Sequence, residues 1–199
     1  MSSSRKRIWI KLSGYSAVAT PLVAFAFILS AIALAPRFSW TNNALSDLGV
    51  MTWPTDIIFN TGLIISGILS ILFATGLYFS FNKGVVGRSG ATIFLFCAVA
   101  LTTIGVFSEN MKPMHIYASV AFFGLFPIAM FVLTASYFRL GKPRRAFFTL
   151  AVALFAALVW GLDFLFKYAP SVAIPETLSA LAASLWTVVI GFSLTRSGK

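Results

Sequence analysis

Six long apolar runs, joined by short polar stretches, constrain this chain more than any other feature. A helix needs about 20 apolar residues to cross the hydrocarbon core of a bilayer, and 199 residues hold roughly six such spans with short joints. Charged residues make up only 10% of the chain, against roughly 25% in an ordinary soluble domain. That is too few to cover a folded surface in water, so the expected molecule is an integral membrane protein with no separate soluble domain. The runs are continuous rather than alternating, which argues for helices and against a membrane β-barrel. The expected fold is an all-α bundle of six transmembrane helices forming one domain over 1–199. The helices are expected at about 14–35, 56–81, 90–107, 115–138, 146–166 and 176–194.

The net charge of +10 would point to nucleic acid in a soluble protein. Here position decides otherwise. Arg5, Lys6, Arg7 and Lys11 precede the first run; Lys83 and Arg88 occupy the second joint; Arg139, Lys142, Arg144 and Arg145 occupy the fourth; Arg196 and Lys199 follow the last run. Only Arg37, Lys112 and Lys167 fall in the other three joints. Cytoplasmic loops retain lysine and arginine, so both termini are expected in the cytoplasm of a multi-pass plasma-membrane protein, with the lipid bilayer rather than nucleic acid as partner. The single cysteine, Cys97, allows neither an intramolecular disulfide nor a cysteine metal cluster.

The first run ends in Ala33-Leu34-Ala35, which resembles a signal-peptidase site. At about 20 residues it exceeds a signal-peptide core of roughly 7–15 and reads as a retained helix. Thr55 is expected to cap the second helix, with Asp56 favouring the positive end of its dipole. Pro127 is expected to kink the fourth, and Pro175-Glu176 to open the sixth. Small residues such as Ser66 and Ser70, or Ser179 and Ala183, let helices approach closely in lipid.

The joint RFSWTNNALSDLGVMTWPTD, from Arg37 to Asp56, is long and polar, and could fold over the bundle as a lid. With the expected topology, all five acids (Asp47, Asp56, Glu109, Asp163 and Glu176) and the only histidine, His115, lie near the outer boundary. Asp163 lies about one turn inside its helix, where an ionisable group is costly and is usually paired or functional. Only a short turn separates Glu109 from His115. Three readings compete. In the structural one, the acids serve helix starts and turns. In the catalytic one, His115 is a general base or metal ligand oriented by Glu109, with Ser46 or a water as nucleophile beside Asp47. A metal site would draw on His115, Glu109 and Glu176, with a divalent ion as cofactor. No G-x-S-x-G and no H-E-x-x-H supports either chemistry. In the third, Asp47, Glu109, His115, Asp163 and Glu176 bind a lipid headgroup, a cation or a small polar ligand. Transport is weaker, because no charge lies near the bilayer midplane. Trp40 and Trp53 read as interfacial anchors, and Trp186 as a packing residue.

Ala44-Leu45-Ser46-Asp47-Leu48-Gly49, then Gly105-Val106-Phe107-Ser108-Glu109 followed by His115, and Ile174-Pro175-Glu176 with Trp186 resemble a known family. It is the uncharacterised prokaryotic six-helix membrane proteins catalogued as domain-of-unknown-function family 998. The resemblance covers nearly the whole chain and points to Ser46, Asp47, Glu109, His115 and Glu176. A more distant similarity to Frag1/DRAM-type membrane proteins, some linked to lipid-anchor remodelling, implies a lipid-related role by analogy.

The expectation is therefore an outward-facing Asp/Glu/His pocket that binds a lipid headgroup, cation or small polar ligand. The alternatives are a membrane-embedded hydrolase or lipid-modifying enzyme, or a structural subunit of a homo-oligomer or membrane complex. A pocket open to lipid favours binding or chemistry. Asp47 and Glu176 satisfied by backbone amides favour a structural lock.

Overall fold

A computed structural model describes residues 2–82 and 84–196. Lys83 and Lys199 of the basic tally lie outside the described residues. Six helices form: α1 (Ser3–Ala33), α2 (Thr55–Ser80), α3 (Val85–Val106), α4 (Met114–Arg139), α5 (Pro143–Phe166) and α6 (Ala173–Arg196). All six are long and apolar enough to cross a membrane, as a multi-pass membrane protein requires.

The helices outrun the apolar runs that predict them. Helix α1 starts well before residue 14, because the Ser2 hydroxyl caps it by accepting the Arg5 N–H at 3.4 Å. Its basic first turns also stay helical, since lysine and arginine are good helix formers. The Trp9 indole N–H then reaches Thr75 Oγ1 on α2 at 3.2 Å, fixing this early segment against the bundle. Thr55 does not cap α2: its hydroxyl donates to the Leu34 carbonyl at 3.4 Å and ties the start of α2 to the end of α1. Helix α6 begins at Ala173, so Pro175 lies inside its first turn, where a missing N–H costs no helical bond.

Successive helices pack side by side, and α1 packs against α6 to close the ring. Closure depends on glycine. A Cβ on Gly14 would lie 2.7 Å from the Gly191 carbonyl oxygen, and one on Gly191 2.6 Å from the Ala17 Cβ. The α1–α2 contact is equally close at Gly76, whose missing side chain leaves room for Ser13. In lipid, such small surfaces gain van der Waals contact that larger side chains would block.

The main core centres on Trp186, fully buried against Phe73 and Phe94, with its indole N–H donating to Thr149 Oγ1 at 3.1 Å. This bears out Trp186 as a packing residue. Many outward faces remain apolar: Phe164 is 78% and Phe166 71% exposed, the surface a lipid-facing helix presents.

The described chain starts and ends at the same end of the ring. The joints 34–54, 107–113 and 167–172 meet at the other, here the loop end, joined by Ser171 Oγ donating to the Trp40 carbonyl at 2.8 Å. Within the first joint, Ser46–Val50 winds into a short 3-10 turn. Leu48 from that turn is fully buried in a second core with Phe59, Leu63, Ile104, Ala118 and Ala173. Burying a leucine stabilises by about 1.5–3 kcal/mol relative to exposure to water, so this one side chain holds the joint down onto the bundle.

A polar cluster at the mouth of two cavities

The 3-10 turn carries Leu45 and Ser46 to the centre of the loop end. The Leu45 N–H donates to Glu176 Oε2 at 2.6 Å, and Ser46 Oγ donates to Glu109 Oε2 at 3.1 Å. Glu176 sits in the first turn of α6, where the helix dipole favours an anion. Lys112 Nζ lies 3.1 Å from Glu109 Oε1, a partly exposed pair. His115 Nε2 lies 2.9 Å from Glu109 Oε2, so the short turn between them does bring them together.

The histidine is only 3% exposed, and both its nitrogens are engaged. Nδ1 lies 2.7 Å from the Phe107 carbonyl oxygen. A carbonyl can only accept, so Nδ1 carries the proton there. Nε2 and Glu109 Oε2 must then share one further proton, because two bare acceptors would repel at 2.9 Å. Ser46, His115 and Lys112 thus all converge on Glu109, making the acid the hub. In the catalytic reading His115 activates Ser46; here the serine proton points to Glu109 instead.

Two expected members lie outside this hub. Asp47 Oδ2 accepts from Asn43 Nδ2 at 2.9 Å and from the Ala44 N–H at 3.0 Å, closing the turn before Ser46. Asp163 is buried at the end of α5, where its Oδ1 accepts the Ala169 N–H at 3.4 Å and its backbone carbonyl accepts the Lys167 N–H at 2.9 Å. It shapes the α5–α6 joint and lines neither cavity described below. Among the described residues, no group of three or more histidine, cysteine or acidic side chains is placed to hold a metal ion. Glu176 turns to the Leu45 amide rather than to His115, so the expected His115, Glu109 and Glu176 ligand set is not assembled. Trp40 and Trp53 are both exposed beside this end, Trp53 at 77%.

Two cavities meet at the cluster. One is an open groove of about 400 Å³ running from Glu109 and His115 along the outward face of α4, past Val120 and Gly124, to Trp160 of α5. The other, about 110 Å³, descends through the centre of the ring between Phe59, Phe94, Phe122 and Ala183 to Thr187. Ser46, Ser119, Phe123 and Glu176 line both. Sequence reasoning missed Trp160, whose indole N–H donates to Ser179 Oγ at 2.9 Å, and the opening beside Gly124, where a Cβ would meet nothing within 4 Å. A tryptophan well inside a span, away from the interface belt, was the available signal.

A sequence model of the family described as "Protein of unknown function (DUF998)" matches residues 18–193. No curated protein and no solved structure matches the chain, so the more distant likeness to Frag1/DRAM-type proteins stays a resemblance.

Proposed function

Starting from a chain that belongs to the DUF998 family of unknown function, we propose that it binds a single-chain amphiphile in the outer leaflet of the cytoplasmic membrane. The head group would sit at Ser46, Glu109, His115 and Glu176, and the chain would occupy the central cavity. One observation carries this reading: an open groove and an inner, largely apolar cavity share Ser46, Ser119, Phe123 and Glu176. A polar mouth above an apolar shaft matches an amphiphile better than a free ion or a sugar, which would leave the shaft empty.

Charge selects the head group. Glu109 and Glu176 present acceptor oxygens at the mouth and Lys112 is held by Glu109, so an amine or hydroxyl head is favoured over a phosphate. The outward placement rests on charge bias: the described residues Arg5, Lys6, Arg7, Lys11, Arg88, Arg139, Lys142, Arg144, Arg145 and Arg196 all lie at the opposite end. On this reading both termini are cytoplasmic.

The test uses the full chain in phosphatidylcholine nanodiscs, titrated with dodecylamine, hexylamine and dodecyl sulfate while thermal unfolding is followed. Dodecylamine is expected to raise the midpoint by several degrees, with hexylamine and dodecyl sulfate much weaker and Glu176→Gln abolishing the response. Equal responses to the amine and the sulfate would overturn the reading.

A specific observation favours a second reading. Asp47 and Glu176 are both satisfied by backbone amides, Ala44 and Leu45, which is what a structural lock on the first joint requires. In that case loss of Glu176 would release the joint with no change in amine binding. A lock can also serve a binding site, by holding the joint over the shaft as a lid.

A further inference from the structure

The end of the ring that carries the termini holds a third cavity, of about 470 Å³, lined by Lys6, Arg7, Asn82, Tyr137, Lys142 and Arg145 among others. The four cations come from two separate elements, the start of α1 and the α4–α5 turn with the first residues of α5. Topology asks only that basic residues lie on the cytoplasmic side. It does not ask that four of them face one cavity.

Among the described residues, no carboxylate offsets them. All five acids of the chain lie at the loop end, and the two ion pairs among the described residues are both made by Glu109 there. Lys6 Nζ donates to Asn82 Oδ1 at 2.5 Å, which anchors α1 to the α2–α3 turn without neutralising the charge. Tyr137 is only 3% exposed and lines the cavity beside these cations. Four cations facing one cavity repel one another unless an anion offsets them.

We propose that this cavity binds a phosphate group, with Arg145 and Lys142 contacting its oxygens from α5, Lys6 and Arg7 from α1, and the Tyr137 hydroxyl donating from below. A phosphate offers more than one negative charge and several acceptor oxygens to a set of donors that a single carboxylate would leave unfilled. Basic pockets between helix ends on the cytoplasmic side sit at the depth of lipid phosphates. The same chemistry fits a free phosphorylated solute. This site is independent of the amphiphile site at the loop end.

The test measures dioctanoyl phosphatidylglycerol and, separately, inorganic pyrophosphate binding to the full detergent-solubilised chain by native mass spectrometry. The variants are Lys142→Gln/Arg145→Gln and a control, Arg139→Gln/Arg144→Gln, which removes two exposed cations outside the cavity. The cavity variant is expected to bind about tenfold or more weakly, and the control within about twofold of wild type. Binding of the lipid alone identifies a head group, and binding of pyrophosphate alone identifies a free phosphate. Equal loss in both variants, or no binding of either probe by the wild type, overturns the proposal. If the cavity variant does not remain monodisperse, Tyr137→Phe decides. It keeps the ring and is expected to weaken binding about threefold; unchanged binding overturns the proposal.

Discussion

Leu45 and Glu176, 131 residues apart in sequence, meet at 2.6 Å through a backbone N–H and a carboxylate oxygen. That bond joins the first joint to the start of α6 and so helps hold the joint against the bundle. Glu176→Gln keeps the shape but turns one of the two acceptor oxygens into an amide donor, and a typical hydrogen bond is worth about 0.5–1.5 kcal/mol. The expected result is amide exchange at Leu45 faster by about twofold to tenfold, with the exchange of α3 unchanged. Equal acceleration across the bundle would show global loosening instead.

Glu109 gathers Ser46, His115 and Lys112, so its removal should cost more than the removal of any one of them. Glu109→Gln replaces the carboxylate on which Ser46, His115 and Lys112 converge with a neutral amide, one of whose terminal atoms can only donate. It is expected to destabilise by about 2–3 kcal/mol, and Ser46→Ala by about 1 kcal/mol or less. Because all three share one network, Glu109→Gln and His115→Ala should fall short of additive by at least about 0.5 kcal/mol in a double-mutant cycle of thermal stability. Additive effects would mean that the 2.9 Å pair contributes nothing of its own.

How much of this was legible beforehand follows from which interactions are local. The six spans could be read because each needs only its own apolar run, although the ends of α1 and α3 could not. Ser2 and the basic first turns of α1 are invisible to a hydropathy argument. The Glu109–His115 pair was legible because a short turn forces it. Glu176 was placed at the right boundary, but its partner, the Leu45 amide, belongs to a distant joint whose path depends on burying Leu48. Asp163 lies one turn inside the end of α5, where it was expected, but it turns to Ala169 in its own joint and lines neither cavity. The shaft itself, lined by side chains from several helices, has no signature in any one of them.

Ring closure makes a graded prediction about glycines. Gly191→Ala places a Cβ 2.6 Å from Ala17, whereas Gly124→Ala and Gly161→Ala add a methyl group to open space. Overpacking of this kind costs about 1–3 kcal/mol, so Gly191→Ala should lower the thermal midpoint while the other two leave it unchanged or slightly raised. A midpoint as low in Gly124→Ala would contradict the packing at the α1–α6 seam.

Orientation can be read by thiol labelling in a Cys97→Ser background. Ser171→Cys, beside Trp40 at the loop end, is expected to react with an impermeant maleimide added outside intact cells. Ser89→Cys near the start of α3 should react only after permeabilisation. The reverse pattern would invert the bundle and move the polar cluster to the cytoplasm.

The amphiphile site is tested most directly by photolabelling the full chain in phosphatidylcholine nanodiscs with a diazirine-bearing dodecylamine and mapping the adducts by mass spectrometry. The account predicts adducts at Phe122, Phe123, Ala180 and Ala183, inside the ring, and their loss in Glu176→Gln. Adducts confined to outward residues such as Phe164, Leu165 and Phe166, unchanged in the variant, would show an amine that only dissolves in the surrounding lipid and would contradict it.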